Sequence, residues 1–136
     1  MSTYVRIRVG AERYAIPVGH VVEVCDLDPA GIVPVPGARP EVLGVRNLRG
    51  LVLPVVDLAA VLRVPRAAPP GGLLVAESGG ARAGLAIDRV VGVEEMGEPS
   101  ERCDSPLLAG AILSDGQLTG VIDVPRVFGA LEAEGS

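Results

Sequence analysis

Two aspartates, Asp57 and Asp123, each end a run of apolar residues. Carboxylates placed alike in two similar lobes could share one proton as an acid pair, which would make the chain a duplicated β-barrel hydrolase. Such an enzyme needs a small residue and a glycine after each aspartate, but Leu-Ala and Val-Pro follow instead. An aspartate between a strand and a helical segment is typical of an N-cap. We therefore expect Asp57 and Asp123 to cap short helices, with the hydrolase as an alternative.

The sequence contains no other pattern typical of a catalytic or metal site. The only histidine, His20, has no Cys or His at the spacing of a metal ligand, and no phosphate-binding glycine motif is present. Cys25 and Cys103 are far apart and lack CxxC spacing, as is usual for free thiols in a reducing cytoplasm. We expect no catalytic residue, no metal and no cofactor.

A polar group interrupts the most hydrophobic stretch of the chain, GVRNLRGLVLPVVDL at residues 44–58. Asn47 and Arg49 lie there beside Gly50, in the pattern of a tight turn between two strands. The simplest interpretation is a turn with a solvated guanidinium, or an arginine whose stem packs on the barrel. The functional interpretation is a fixed cation that a protein partner contacts, since arginine is enriched at interface centres.

Short strands separated by Gly and Pro dominate the chain, and this pattern predicts a small barrel or sandwich. In YVRIRV the apolar residues alternate with arginines, as a half-buried strand requires. Helical patterning is confined to brief pieces such as LAAVLRV. The predicted fold class is all-β with short helices.

An internal repeat organises these strands. GVRNLRGLVLPVVDLAAVL (44–62) aligns without gaps to GAILSDGQLTGVIDVPRVF (110–128), and YVRIRVGAERYAIPVGHVVEV is echoed by LLVAESGGARAGLAIDRVVGV. We infer one domain over 1–136, with subdomain 1 at 1–66, a linker at 67–72 and subdomain 2 at 73–136. Exchange of terminal strands between the subdomains stays open. Arg49 aligns with Asp115 and Asn47 with Leu113, so the polar group belongs to the first unit alone.

Composition limits the partners. The 136 residues carry a formal net charge of −5, all 12 basic residues are arginine, and aromatic residues make up only 2%. An acidic chain with few stacking platforms is a poor nucleic-acid binder. The apolar runs are shorter than the ~18 residues that a membrane helix needs. No nucleic acid and no membrane insertion are expected, and the amino terminus lacks the features of a secretion signal.

The stretch at residues 44–58 strongly resembles the signature of the CheW-like domain, and YVRIRVGAERYAIPVGHVVEV is similar to the opening of that family. AGLAIDRVVGV and LTGVIDVPRVF are similar to its second half, so the resemblance covers nearly the whole chain. It implies two small SH3-like β-barrels around a shared hydrophobic centre. It also implies a non-catalytic adaptor of bacterial chemosensory arrays, located in the cytoplasm at receptor arrays.

The resemblance also implies partners and site residues. The partners are the cytoplasmic tip of a chemoreceptor (a methyl-accepting chemotaxis protein) and the regulatory domain of a CheA-type histidine kinase. On this basis Glu23 pairs with Arg49 across adjacent strands, and an apolar groove between the barrels receives the helical hairpin of the receptor. The expected partner-binding residues are Val21, Glu23, Val45, Asn47, Leu48, Arg49 and Gly50, with Val45 and Leu48 lining the groove.

Some features depart from the family pattern. The closing VFGALEAEGS leaves little room for a long terminal helix, and the 94–110 stretch is short. These departures raise the alternative of an accessory adaptor that holds the receptor without recruiting kinase. A plain structural module and a fragment of the kinase itself are further alternatives, although no ATP-binding or phosphotransfer segment is present.

Overall fold

The computed structural model describes residues 1–135, with side chains to residue 132. This part of the chain forms ten strands and two α-helices, with one-turn 3-10 helices at Val18–His20 and Pro29–Gly31. In chain order the elements are β1 (Ser2–Val9), β2 (Glu12–Pro17), β3 (Val21–Asp26), β4 (Val42–Leu48), β5 (Leu51–Asp57), α1 (Leu58–Leu62), β6 (Gly72–Ser78), β7 (Ala81–Ile87), β8 (Arg89–Met96), β9 (Leu108–Ser114), β10 (Gln117–Ile122) and α2 (Val124–Gly135). The described helices include none that is both long and apolar enough to cross a membrane.

The strands form two five-stranded sheets that curl into barrels. Barrel 1 has the order β3-β6-β7-β5-β4, and barrel 2 has the order β8-β1-β2-β10-β9. Each interior is an apolar cluster to which all five strands contribute, as a sheet closing on itself requires. Barrel 1 encloses Cys25, Leu43, Leu48, Leu53, Val55, Leu73, Val75 and Ala86, and barrel 2 encloses Tyr4, Ala15, Met96, Ile112 and Val121.

The two barrels are copies of one topology with their first hairpins exchanged. The β1–β2 hairpin lies in barrel 2 with β8, β9 and β10, and its counterpart β6–β7 lies in barrel 1 with β3, β4 and β5. Backbone details repeat as well, since Gly44 and Gly110 have φ values of 150° and 148°. Each barrel therefore takes strands from both sides of the 67–72 segment.

The exchanged hairpins build the layer between the barrels. On β1, Val5, Ile7 and Val9 face a large cluster shared by both barrels and both helices, while Tyr4 faces the interior of barrel 2. One strand thus covers two cores with its alternate side chains. The buried members of the shared cluster are Val5, Ile7, Val9, Tyr14, Ile16, Val56, Leu58, Ala59, Leu74, Ala76, Ala83, Leu85, Ile87, Ile122, Val124, Val127 and Phe128.

A close approach between backbones makes Gly44 a sensitive position. A Cβ atom there would lie 2.3 Å from the carbonyl oxygen of Val33, and φ is in the left-handed region. We expect Gly44→Ala to lower the free energy of unfolding by more than about 2 kcal/mol, since neither backbone can move freely. The control Gly129→Ala, in open space on α2, should raise it by about 0.5–1 kcal/mol. Urea unfolding measures both, and a Gly44→Ala variant as stable as the parent would contradict this packing.

Candidate functional site

The turn between β4 and β5 presents an arginine in a conformation that costs backbone energy. Leu48 pairs with Leu51, so Arg49 and Gly50 form a two-residue hairpin loop. Their φ values of 51° and 84° fit a type I′ turn, which favours Asn-Gly or Asp-Gly. The Asn47 side chain supports the loop, because its Oδ1 accepts a hydrogen bond from the Gly50 N–H at 3.0 Å.

Glu23 holds this arginine at the rim of barrel 1. Arg49 Nη1 lies 2.5 Å from Glu23 Oε1, which confirms the predicted contact. The prediction of adjacent strands is wrong, because β3 and β4 are the two edge strands of their sheet. The ion pair therefore bridges the ends of the sheet. The Glu23 side chain is 23% exposed and that of Arg49 is 75% exposed, so the guanidinium is oriented and still accessible.

Aliphatic side chains beside the pair in the sequence are exposed to solvent. Leu51 and Val52 follow the turn directly, and Val52 is 65% exposed. Val22 and Val24 flank Glu23 on β3 and are also exposed. On β3 these valines alternate with Glu23 and therefore lie on the other face of the strand. A fixed, exposed cation with exposed aliphatic residues close by in the sequence is typical of the edge of a protein interface.

The remaining predicted residues occupy different surroundings. Val21 pairs with Ala76 and packs against the shared layer between the barrels. Val45 pairs with Pro54 at the outside of barrel 1. Leu48 is half-buried and packs against the interior of barrel 1, so the expectation that it lines a groove between the barrels is wrong. The bulge that shifts the register at the start of β4 was not visible in the sequence pattern.

An apolar groove does exist beside barrel 1. It encloses about 430 Å³ between strands β4, β5 and β7 and helix α2. Pro54, the cross-strand partner of Val45, is one of its walls, whereas Val45 and Leu48 are not. The lining consists of Gly37, Ala38, Arg39, Val42, Pro54, Val56, Ala81, Arg82, Ala83, Phe128, Leu131 and Glu132.

Comparison with known proteins gives this arrangement a family. The family model of the CheW-like domain matches residues 3–132. The chain belongs to the CheW-like domain family. A probable chemotaxis protein CheW of Rhizobium etli is 29% identical to this CheW-like chain, over 96% of the chain and 89% of that protein. The chemotaxis protein CheW of Thermotoga maritima is 30% identical, over 75% of the chain and 72% of that protein.

A solved structure shares the fold of this CheW-like chain. It is the crystal structure of the scaffolding protein TtCheW from Thermoanaerobacter tengcongensis, with a TM-score of 0.83 and 24% identity. The match covers 93% of this chain and 87% of that chain. The architecture of two β subdomains predicted from the sequence is thereby confirmed.

The two aspartates that raised the hydrolase alternative stand at the start of two different helices. Asp57 Oδ1 accepts the Ala59 N–H at 3.1 Å, and Asp123 Oδ1 accepts the Arg126 N–H at 3.1 Å. Asp57 also forms a two-point ion pair with Arg66, in which Nη1 lies 2.7 Å from Oδ2. Among the described residues the two carboxylates make no contact with each other, so this CheW-like domain does not form an acid pair.

Metal chemistry also finds no support in the described part of the chain. No three His, Cys, Asp or Glu side chains there are grouped to hold a metal ion. Cys25 and Cys103 are free and partly buried. His20 Nδ1 lies 2.9 Å from the carbonyl oxygen of Glu77, which is a structural contact between β6 and the turn before β3.

Two features of the site could not be read from the sequence. Arg66 lies beyond the end of α1 and carries no motif, yet it pairs with Asp57. The equivalence of β3 and β8 also places Gly92 where barrel 1 has Glu23. Because Asp115 already replaces Arg49, barrel 2 lacks both members of the rim ion pair. Comparison of the two VVxV segments, VVEV and VVGV, was the available signal.

The turn geometry predicts that Arg49 is not retained for stability. We expect Arg49→Asn to leave the free energy of unfolding unchanged or up to about 1 kcal/mol higher. Asparagine suits the type I′ turn, and an exposed ion pair contributes only about 0–1 kcal/mol. Chemical denaturation measures the effect. A loss of more than about 1 kcal/mol would show that the pair is a structural requirement of barrel 1.

The surroundings of the two capping aspartates predict unequal effects of one substitution. Asparagine caps helices well, so Asp57→Asn mainly leaves the largely buried Arg66 without its counter-charge. We expect it to lower the free energy of unfolding by about 2 kcal/mol. The matched control Asp123→Asn faces the exposed Arg126 at 3.5 Å and should cost less than about 0.5 kcal/mol. Thermal unfolding compares them, and equal losses would contradict the assigned roles.

Proposed function

We propose that this chain is a non-catalytic adaptor that couples chemoreceptors to a CheA-type histidine kinase in a bacterial chemosensory array, in the cytoplasm. The observation that carries the proposal is Arg49, which sits on an energetically costly turn, is held by Glu23 and remains largely exposed. Asparagine would fit this turn better than arginine, and this favours a role for Arg49 in contact with another molecule. Family membership and chemotaxis relatives support the same function.

The receptor contact is assigned to the rim of barrel 1. Arg49 lies on the turn, Asn47 lies on β4 two residues before it, and Glu23 and Val21 lie on β3. The cytoplasmic tip of a chemoreceptor is a helical hairpin, and its helices would lay apolar side chains on the exposed valines while a carboxylate meets Arg49. Gly50 supplies the positive φ that the turn needs beside this contact.

Contact with the kinase is supported by the size of the terminal helix. The sequence left little room for a long helix after Asp123, and this departure favoured an accessory adaptor. Helix α2 nevertheless extends over twelve residues, Val124–Gly135, and packs Phe128 into the shared layer. The last strand is therefore followed by a helix of about three turns that packs on the layer between the barrels. This observation favours the coupling adaptor, with the accessory adaptor as the second candidate.

A binding titration tests the proposal. The purified chain is titrated with a receptor tip fragment and with the kinase regulatory domain of its own host. We expect both to bind, and Arg49→Glu to weaken receptor binding at least tenfold, a loss of about 1.4 kcal/mol. The control Arg102→Glu makes the same change of charge at an exposed arginine outside the site and should bind as the parent does.

A charge swap separates direct contact from loop support. In the double variant Glu23→Arg with Arg49→Glu, the ion pair is restored but the accessible cation is moved. If Arg49 contacts the receptor directly, the swap fails to restore binding. Binding to the receptor alone would establish the accessory adaptor, and binding to neither partner would contradict the proposed function.

A further inference from the structure

Three arginines stand side by side at one end of barrel 2. In the β1–β2 pairing Arg8 is directly opposite Arg13, and in the β1–β8 pairing Arg8 is directly opposite Arg89. Residues directly opposite each other on neighbouring strands have Cβ atoms about 4.5–5.5 Å apart and share a face of the sheet. The three side chains therefore form one row across β2, β1 and β8, which we call the arginine row.

The row lies on the inward face of barrel 2, at the mouth of the barrel. Alternate residues of a strand share a face, and Tyr4 and Ala15 on that face are buried in the interior cluster. Arg8 and Arg13 continue the same face toward the β1–β2 turn, where they are half-buried, and Arg89 is exposed. The row is therefore accessible to solvent at its Arg89 end and partly buried against barrel 2 at Arg8 and Arg13.

The arginine row has no counter-charge within the described part of the chain. None of the three guanidinium groups forms an ion pair or a side-chain hydrogen bond there, including with Asp88, the residue before Arg89. Arg6, one step along the same face, shows the contrast, because it pairs with Glu94 at 2.7 Å. Like charges directly opposite each other destabilise a sheet, so the arrangement costs folding energy.

In barrel 1 the position equivalent to the arginine row carries an ion pair. Arg8 and Arg13 are the second cross-strand pair from the β1–β2 turn. The equivalent pair beside the β6–β7 turn is Glu77 and Arg82. There the two residues form an ion pair of 2.7 Å. His20, in place of Arg89, contacts the Glu77 carbonyl oxygen. Barrel 2 has Arg8 at the position where barrel 1 has Glu77.

We infer that the arginine row binds a phosphate group, either free or carried by a larger molecule. Three guanidinium forks within about 10 Å can surround one tetrahedral oxyanion, and arginine is well suited to phosphate because its planar donors match two oxygens at once. A multiply charged anion would also relieve the repulsion among the three side chains. The inference concerns barrel 2 alone and does not depend on the proposed contact of Arg49.

The test uses the full chain with inorganic phosphate, tripolyphosphate and citrate as probes, in calorimetric titrations at constant ionic strength. We expect both phosphate probes to bind more tightly than citrate. Arg8→Glu copies the paired arrangement of barrel 1, so it should fold and should weaken phosphate binding at least tenfold. Arg46→Glu makes the same change of charge in barrel 1 and should leave binding unchanged. If Arg8→Glu does not fold, Arg89→Gln at the exposed end of the row replaces it.

Each outcome decides the inference. Tighter binding of tripolyphosphate than of phosphate would indicate that the natural ligand carries linked phosphates, and equal binding would indicate a single group. No binding of either phosphate probe at millimolar concentration would overturn the inference. Equal binding of citrate would overturn the assignment to phosphate, and equal weakening by Arg46→Glu would reduce the effect to overall charge.

Discussion

The fold depends on the exchange of hairpins between the two barrels. Because β1–β2 lies in barrel 2 and β6–β7 lies in barrel 1, each barrel is completed by strands from the other sequence unit. Val5, Ile7 and Val9 of β1 then form part of the shared apolar layer, and Tyr4 faces into barrel 2. Neither barrel can unfold alone without exposing that layer. The relative position of the strands that carry the site is fixed by the same layer.

Within this symmetric frame the two barrels have diverged in charge. At the rim, barrel 1 has Glu23 and Arg49 as an ion pair, and barrel 2 has Gly92 and Asp115 at the equivalent positions. At the mouth the difference is reversed: barrel 1 has the Glu77–Arg82 ion pair, and the arginines of barrel 2 have no ion-pair partner among the described residues. The fold requires neither the rim ion pair nor the arginine row, since barrel 2 forms without the first and barrel 1 forms without the second. Such differences between copies of one unit are where separate binding functions are expected.

Much of the fold was predictable from local patterns, whereas the long-range pairing was not. The alignment of 44–62 with 110–128 predicts the duplication, because glycines with positive φ and capping aspartates recur at fixed spacing. Exchange of hairpins leaves those local patterns unchanged, so the sequence allows both arrangements. The Glu23–Arg49 contact came from the family resemblance. The positions of Leu48 and Arg66 came only from the structure, because a register shift and a side-chain contact across a loop leave no periodic signal.

We propose that the rim of barrel 1, with Arg49 held by Glu23, is the surface that meets the receptor. Hydrogen–deuterium exchange of the chain with and without a receptor tip fragment tests it most directly, because the two barrels give separate signals. We expect slower exchange in 21–24 and 47–52 when the fragment is bound, with little change in 113–118 of barrel 2. Slower exchange confined to 113–118 would contradict the claim and would move the receptor contact to the other barrel.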